Sequence, residues 1–200
     1  MRWLLGLLSI LLLSACFTAG KRGGDAAMAV YDLGPVELRV SPVLRRQPVA
    51  LEVRMPLWFD ALGINYRLAY AEPARLREYA RARWAGPPAQ LIQQGLAREL
   101  GLVAAGQGRA VCLLRVDIDE FSQVFATPTS SRAVLQGRLQ WLDHSRARLA
   151  ERSIDIAMPA GSNDSAGGVA ALTAAVTELT RQSQVWESEL LANGLLKSCR

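Results

Sequence analysis

The feature that most constrains this chain is its N-terminus, where a short apolar run ends at small residues and a cysteine. Arg2 precedes an apolar run from Trp3 to Leu13, and Ser14 and Ala15 provide the small residues that a signal protease requires. The run is shorter than the about 20 apolar residues that cross a bilayer. The sequence therefore predicts a signal peptide over residues 1–15, so the folded part of the chain is exported and must be built from the remainder.

The four residues at the end of the leader resemble the bacterial lipobox. Leu13-Ser14-Ala15-Cys16 places a cysteine directly after the small residues, where its thiol receives a diacylglycerol and its freed amine a further acyl chain. Two or more acyl chains hold a protein to a membrane far more firmly than one chain does. We expect this covalent lipid on Cys16 and no other cofactor; the alternative is an ordinary cleaved leader beside a chance cysteine.

The composition of the rest of the chain is typical of one globular domain on a tether. Half of the 200 residues are apolar and 20% are charged, which suffices for a single core. Residues 16–30 are small, polar and glycine-containing, as in a flexible tether, so we expect the folded domain to span residues 31–200. The net charge of +5 is spread along the chain. A mild, spread-out positive charge on an exported chain disfavours nucleic acid as a partner. It is compatible with anionic lipid or an acidic protein.

Two cysteines remain after Cys16. Cys112 lies in an apolar segment and Cys199 next to the C-terminal residue. An even pair in an oxidising envelope compartment favours a disulfide that ties the C-terminal tail to an interior strand. The alternative is a buried free Cys112 and a frayed terminal Cys199.

Alternation of apolar and charged side chains predicts that most of the domain is sheet. This period of two is typical of a half-buried strand, and it is clearest from Val111 to Phe121, where Leu114 and Val116 flank Arg115. The same pattern predicts strands at residues 36–40, 51–55, 64–68, 133–142 and 153–158.

Residues 75–84 suit either a helix or a strand, and we favour a strand. As a strand, the segment places Arg75, Arg77, Arg81 and Arg83 on one face. Those arginines either contact phospholipid head groups or are simply exposed to water. The second interpretation is the commoner one for scattered surface arginine.

Two amphipathic helices complete the predicted domain. Pro87 and Pro88 open a helix that ends at about Leu100, because proline suits a first helical turn and Gly101 can end the helix. A longer apolar stripe runs from Val169 to Leu190 after the capping candidates Asp164 and Ser165, and Asn193-Gly194 ends it. The order of elements favours an α+β fold, a two-layer sandwich with a mainly antiparallel sheet and two main helices on one face.

The sequence carries no recognisable catalytic group. The only histidine, His144, lies between two predicted strands, where a polar turn residue is expected. The serine-rich loop at residues 161–167 lacks the spacing of a nucleophile elbow and is explained as a helix cap. We therefore expect a protein that is not an enzyme.

A metal site is also not expected. Asp117, Asp119 and Glu120 form the one tight acidic group, and paired carboxylates can bind a hard cation. On an antiparallel sheet, however, they would face Arg138 or Gln136 of the next strand, which is a routine cross-strand pairing. The pairing is the favoured interpretation.

Several short segments together resemble the ABC-type transport auxiliary lipoproteins. The resemblance spans nearly the whole chain, and it rests on the order and spacing of its pieces more than on any single motif. Besides the lipobox, the segments are Tyr31-Asp32-Leu33, Leu57-Trp58-Phe59-Asp60, Ile64-Asn65-Tyr66-Arg67, Arg83-Trp84-Ala85-Gly86-Pro87-Pro88 and Asp119-Glu120-Phe121.

This resemblance implies a periplasmic domain tethered to the outer membrane. Its implied partners are an inner-membrane ABC transporter and a mammalian-cell-entry (MCE) domain protein, which together move phospholipid or other hydrophobic molecules between membranes. Phe17 after the anchor, instead of aspartate, agrees with outer-membrane sorting. The resemblance implies no catalytic residues, and a homo-oligomer remains an open alternative.

Partner contact is expected at two places. One is the loop with Trp58 and Phe59: core packing is the commoner fate of such aromatics, although a large apolar pair is less expected in a predicted loop. The other is the C-terminal region near Trp186 to Leu196, with Trp186 and Leu190. The alternative function is a lipoprotein that assembles or plugs a different outer-membrane machine, such as a lipopolysaccharide or polysaccharide exporter.

Overall fold

The computed structural model describes residues 27–34, 47–106 and 109–199. Cys16, most of the predicted tether and the predicted strand at residues 36–40 lie outside these ranges. The predicted tether ends slightly too late, because Ala29 and Val30 already belong to a strand of the sheet.

The described chain consists of eight strands, two helices and a short 3-10 turn. The other strands predicted from alternation, all within the described ranges, are present, and most of them extend beyond their predicted ends. The ambiguous segment at residues 75–84 is a strand, as predicted. The elements are β1 (Ala29–Tyr31), β2 (Val49–Arg54), β3 (Gly63–Leu68), β4 (Glu72–Trp84), α1 (Pro88–Leu100), β5 (Val103–Ala104), β6 (Cys112–Thr127), β7 (Ser130–Asp143), β8 (Arg148–Pro159), α2 (Ser165–Ala192) and the 3-10 turn Lys197–Cys199.

The sheet is organised around β6. One edge of β6 pairs with β7 along nearly its whole length in antiparallel register, and β8 follows β7. The other edge of β6 pairs in parallel with β2 near its beginning and with β3 near its end. β4 joins β3 in antiparallel register, and β1 and β5 complete the sheet in parallel register.

The predicted mainly antiparallel character is only partly correct. Among the described residues, four of the seven strand pairings are parallel, so the sheet is mixed. Alternation of apolar and polar side chains indicates that a strand has one buried face. It does not indicate whether the neighbouring strand runs parallel or antiparallel.

The main core lies between one face of the sheet and the two helices. In β6, Leu114 and Val116 face this core, and Ile92 of α1 and Leu172 of α2 belong to the same buried cluster. A much smaller cluster around Leu113 lies on the opposite face of the sheet. Each fully buried side chain of this size contributes about 1.5–3 kcal/mol, so the helix-covered face dominates the stability of the fold.

Both helices begin and end as their sequences predict. Pro88 opens α1, and Gly101 ends it with a φ of 64°, a left-handed conformation that glycine adopts without a steric penalty. Asp164 caps α2 by accepting a hydrogen bond from the backbone N–H of Gly167 at 2.8 Å. Ser165, the other capping candidate, is the first residue of the helix.

The arginines of β4 do not share one face. The register between β3 and β4 shifts between Gly63 and Asn65, which breaks the alternation along β4. Tyr79 contacts Gln123 on the helix side of the sheet, so Arg77 lies on that side too, whereas Arg83 alternates with the buried Trp84 and points to the other side. The prediction of a four-arginine face was wrong because a strand irregularity cannot be read from the spacing.

The opposite face of the sheet carries paired charges. Asp117 lies opposite Arg138, with 3.6 Å between carboxylate and guanidinium, as the cross-strand interpretation predicted. Glu120 lies opposite Gln136, as that interpretation also allowed, and its carboxylate forms an ion pair with Arg67 of β3 at 2.9 Å. These two carboxylates of β6 thus have partners on two different neighbouring strands, Arg138 on β7 and Arg67 on β3.

Candidate partner-binding surface

The structure separates the four side chains predicted to contact a partner. Trp58 is 63% exposed, whereas Phe59, Trp186 and Leu190 are buried in the described fold. The prediction was therefore wrong for these three side chains, because they pack inside the domain and are not available on its surface. Trp58 remains the candidate contact residue.

The turn between β2 and β3 holds Trp58 in place. The backbone N–H groups of Phe59 and Asp60 both donate to the carbonyl oxygen of Pro56, at 2.9 and 3.0 Å. Phe59 is 1% exposed and anchors the turn in the fold. The guanidinium of Arg67 lies 5.8 Å from the centre of the Phe59 ring, a cation–π distance.

Three further hydrogen bonds tie this turn to neighbouring elements. The Asp60 carboxylate accepts from the backbone N–H of Ala89 at 2.9 Å, and thereby satisfies a free donor in the first turn of α1. The carbonyl of Trp58 accepts from the side-chain amide of Asn65 at 3.3 Å, and that of Leu62 accepts from the backbone N–H of Trp84 at 2.7 Å. The turn is consequently preorganised.

The same turn displays three exposed apolar side chains. Leu57 is 85% exposed, Trp58 63% and Leu62 41%, and we call this set the apolar turn. An exposed apolar group on a rigid support is typical of a protein interaction site, and tryptophan is enriched among the residues that dominate binding. Sequence reasoning missed Leu57 and Leu62, although Leu57 follows Pro56 directly and precedes the aromatic pair.

A buried polar chain of hydrogen bonds lies elsewhere in the fold and was also missed. Tyr79 donates to the side-chain carbonyl of Gln123 at 2.7 Å, Gln123 donates to Ser131 at 2.8 Å, and Ser131 donates to Asn163 at 2.9 Å. Burial raises the pKa of the Tyr79 phenol, so it stays protonated as a donor. The chain joins three strands to the loop before α2, which is a structural role.

Gly168 allows α2 to approach this polar chain. A Cβ atom at Gly168 would lie 2.1 Å from the side-chain oxygen of Gln123, closer than real atoms pack. Close packing against Gln123 therefore requires glycine at position 168, and the sequence pattern alone does not reveal this requirement.

The turn with His144 is organised by its aspartate. The Asp143 carboxylate accepts from the hydroxyl of Ser145 and from the backbone N–H of Ala147, at 2.7 and 2.9 Å. These hydrogen bonds, the Ser145 hydroxyl first, hold the pKa of Asp143 below its usual range. In the described part of the chain, no three His, Cys, Asp or Glu residues are grouped so that they would hold a metal ion.

The two remaining cysteines form a disulfide in the structure. It joins Cys112 at the start of β6 to Cys199 in the C-terminal 3-10 turn, with Cα atoms 5.4 Å apart. Both residues are buried and belong to the main core. The C-terminal tail is thus fastened to the central strand of the sheet.

Neither described helix combines the length and apolarity that crossing a bilayer requires. Over the described residues, the fold and the turn define a class of protein. It is a mixed α/β domain with one eight-stranded sheet, two helices on the apolar face of that sheet and a preorganised apolar turn.

The sequence identifies the family within this class. The family model for the ABC-type transport auxiliary lipoprotein component matches residues 31–183, and the chain belongs to this family. The resemblance inferred from the short segments is thereby confirmed. No curated protein matches the sequence.

Solved structures share the fold. Protein XCC0632 from Xanthomonas campestris, described as DUF330, superposes with a TM-score of 0.70 at 23% identity, covering 85% of this chain and 99% of that one. An uncharacterized protein superposes with a TM-score of 0.60 at 14% identity, covering 82% of this chain and 99% of that one. These likenesses concern the fold alone.

Proposed function

We propose that this chain is a lipid-anchored periplasmic accessory subunit of an ABC/MCE-type transport system for phospholipid or another hydrophobic compound. In this proposal, Cys16 carries the lipid at the periplasmic face of the outer membrane, and the folded domain docks the MCE component there. The chain is not an enzyme and needs no cofactor. The observation that carries the proposal is membership of the auxiliary lipoprotein family over residues 31–183.

The apolar turn supports docking as the contribution of the domain. Leu57 and Trp58 are held outward by a turn that is already fixed by hydrogen bonds to its neighbours. Such a site loses little conformational freedom on binding, because its backbone is ordered beforehand. Apolar side chains this exposed suit a protein partner better than a small molecule, which prefers a concave pocket.

The disulfide supports a location outside the cytoplasm. Disulfides persist in oxidising compartments such as the periplasm and are rare in the cytosol. The pair Cys112 and Cys199 is therefore consistent with export through the leader.

Affinity purification of the lipidated chain from its own membranes tests this proposal. We expect the wild-type chain to retain the MCE protein with its ABC permease and ATPase. Changing Leu57→Ser and Trp58→Ser together should reduce that recovery about tenfold or more, because removing a central aromatic contact typically costs about 2 kcal/mol or more.

Exposed apolar residues elsewhere provide the matched control. Tyr70 and Val185 are 47% and 44% exposed, so Tyr70→Ser with Val185→Ser removes exposed apolar surface away from the apolar turn. This control should retain the partners. Full recovery with the Leu57 and Trp58 variant would refute docking through the apolar turn, and recovery of unrelated proteins in place of a transporter would refute the function itself.

A further inference from the structure

A second exposed apolar surface lies at the sheet edge where the described chain begins. Met28 and Val30 are 51% and 53% exposed. Val30 lies opposite Arg83 in the parallel register of β1 and β4, between two pairs in which Ala82 and Trp84 are buried. Since side chains alternate along a strand, Val30 and Arg83 lie side by side on the face away from the helices.

This edge also carries two exposed arginines, and the carboxylate of Glu78 lies against Gly63, the residue opposite Arg83 in the sheet. Arg81 and Arg83 are exposed, and neither forms an ion pair with another described residue. Arg75 and Arg77 of the same strand differ, because both pair with Glu72, at 2.9 and 3.0 Å. We call Met28, Val30, Arg81 and Arg83 the β1 edge patch.

The position of this patch along the chain limits its distance from the anchor. Ala27, where the described structure begins, follows Cys16 by only 11 residues. Even fully extended, a segment of that length spans at most about 40 Å. A lipid on Cys16 therefore limits the distance between the β1 edge and the membrane surface. The same lipid limits that distance less strictly for every later part of the chain.

We infer that the β1 edge patch rests on the membrane and binds anionic phospholipid. Arg81 and Arg83 donate hydrogen bonds to phosphate oxygens of the head groups, which the arginine fork suits well. Met28 and Val30 contact the boundary between head groups and acyl chains. This orientation rests on the proposed function, because it requires the anchor on Cys16.

Photo-crosslinking with a lipid probe tests this orientation. The lipidated full chain is reconstituted into phosphatidylethanolamine vesicles that contain photoactivatable phosphatidylglycerol, and the modified peptides are mapped by mass spectrometry. We expect adducts concentrated at residues 28–30 and 81–83. Arg81→Glu with Arg83→Glu should reduce them about tenfold, since each basic residue near an anionic surface contributes substantially to its attraction.

A matched variant controls for net charge. Arg109 and Arg132 are exposed elsewhere on the domain, so Arg109→Glu with Arg132→Glu changes the charge equally and should leave the adducts unchanged. Both variants should unfold at the wild-type temperature. A third variant, Met28→Ser with Val30→Thr, removes the apolar half of the patch and should also lower the adduct yield.

The outcomes separate the two proposals. Adducts spread over other surfaces of an anchored chain, or adducts at the β1 edge that survive Arg81→Glu with Arg83→Glu, would overturn the orientation and leave the proposed function intact. A chain that carries no lipid on Cys16 and does not stay with the vesicles would overturn both.

Discussion

At the scale of single residues, the disulfide is the strongest constraint on the C-terminal tail. Cys112 and Cys199 are separated by 87 positions, so the bond closes most of the second half of the domain into one loop. A cross-link over such a distance removes many conformations from the unfolded chain, and the stabilisation grows with the logarithm of loop length. Leu196, just before the 3-10 turn, is buried in the same core.

Breaking this disulfide should destabilise the domain without changing its fold. Cys112→Ala with Cys199→Ser is expected to lower the free energy of unfolding by about 4.6 kcal/mol on the chain-entropy estimate. Urea unfolding of the variant and of reduced wild-type protein should give the same loss. Two free thiols in non-reduced wild-type protein, detected by mass spectrometry, would contradict the bond.

At the scale of elements, α2 is the helix whose start the sequence defines most clearly. The Asp164 carboxylate accepts from the backbone N–H of Gly167 and from the hydroxyl of Ser162. These bonds, the backbone one first, hold the pKa of Asp164 below its usual range. A cap of this kind satisfies donors that the helix itself leaves free, and it complements the positive end of the helix dipole.

The cap should make stability depend on pH in acid. Because the pKa of Asp164 is lower in the folded state, its contribution is complete above the unfolded value near 3.8 and disappears as the pH falls through the lower folded value. Asp164→Ala should cost about 1 kcal/mol at neutral pH, and Asp164→Asn should keep the cap. Thermal unfolding from pH 7 to pH 2 should show a smaller acid loss for Asp164→Asn than for wild type, and equal losses would contradict this role.

Strands and helices were largely predictable, and their arrangement was not. Local periodicity determines which side chains can be buried, which is why α1 and the strands β6 to β8 follow from the sequence. Strand direction and the β3–β4 irregularity depend on distant partners, so neither the parallel pairings nor the faces of Arg77 and Arg83 could be predicted. At the candidate site, the loop was predictable from its aromatic pair, but only packing decides that Trp58 points out and Phe59 points in.

At the scale of the whole molecule, the proposed function assigns two roles: the folded domain binds partners, and the lipidated N-terminus determines where the domain is held. In the described part of the chain, the main core is built from residues of the sheet and the two helices, beginning with Ala29 of β1. In the proposed function, the lipid on Cys16 holds the domain at the membrane and is not needed for its folding. The apolar turn and the β1 edge patch then face different partners, a protein and a membrane.

Removing the acylation site should separate location from folding. Cys16→Ser should leave the unfolding temperature of the domain unchanged, because the main core that the structure describes is built from Ala29 onward. The variant should no longer fractionate as an acylated outer-membrane protein, and transport should fail. Membrane fractionation and a transport assay in cells check both parts. A variant that still fractionates with the outer membrane and supports transport would contradict the anchor.

The proposed docking role is tested most directly by a photo-crosslinker placed at the exposed turn in living cells. With p-benzoylphenylalanine in place of Trp58 in the lipidated chain, we predict a crosslink to the MCE component on illumination. The same crosslinker at the exposed Tyr70 should give no such product. A crosslink from position 58 to a secretin or barrel protein, or none to any transporter component while the chain remains anchored, would contradict the proposed function.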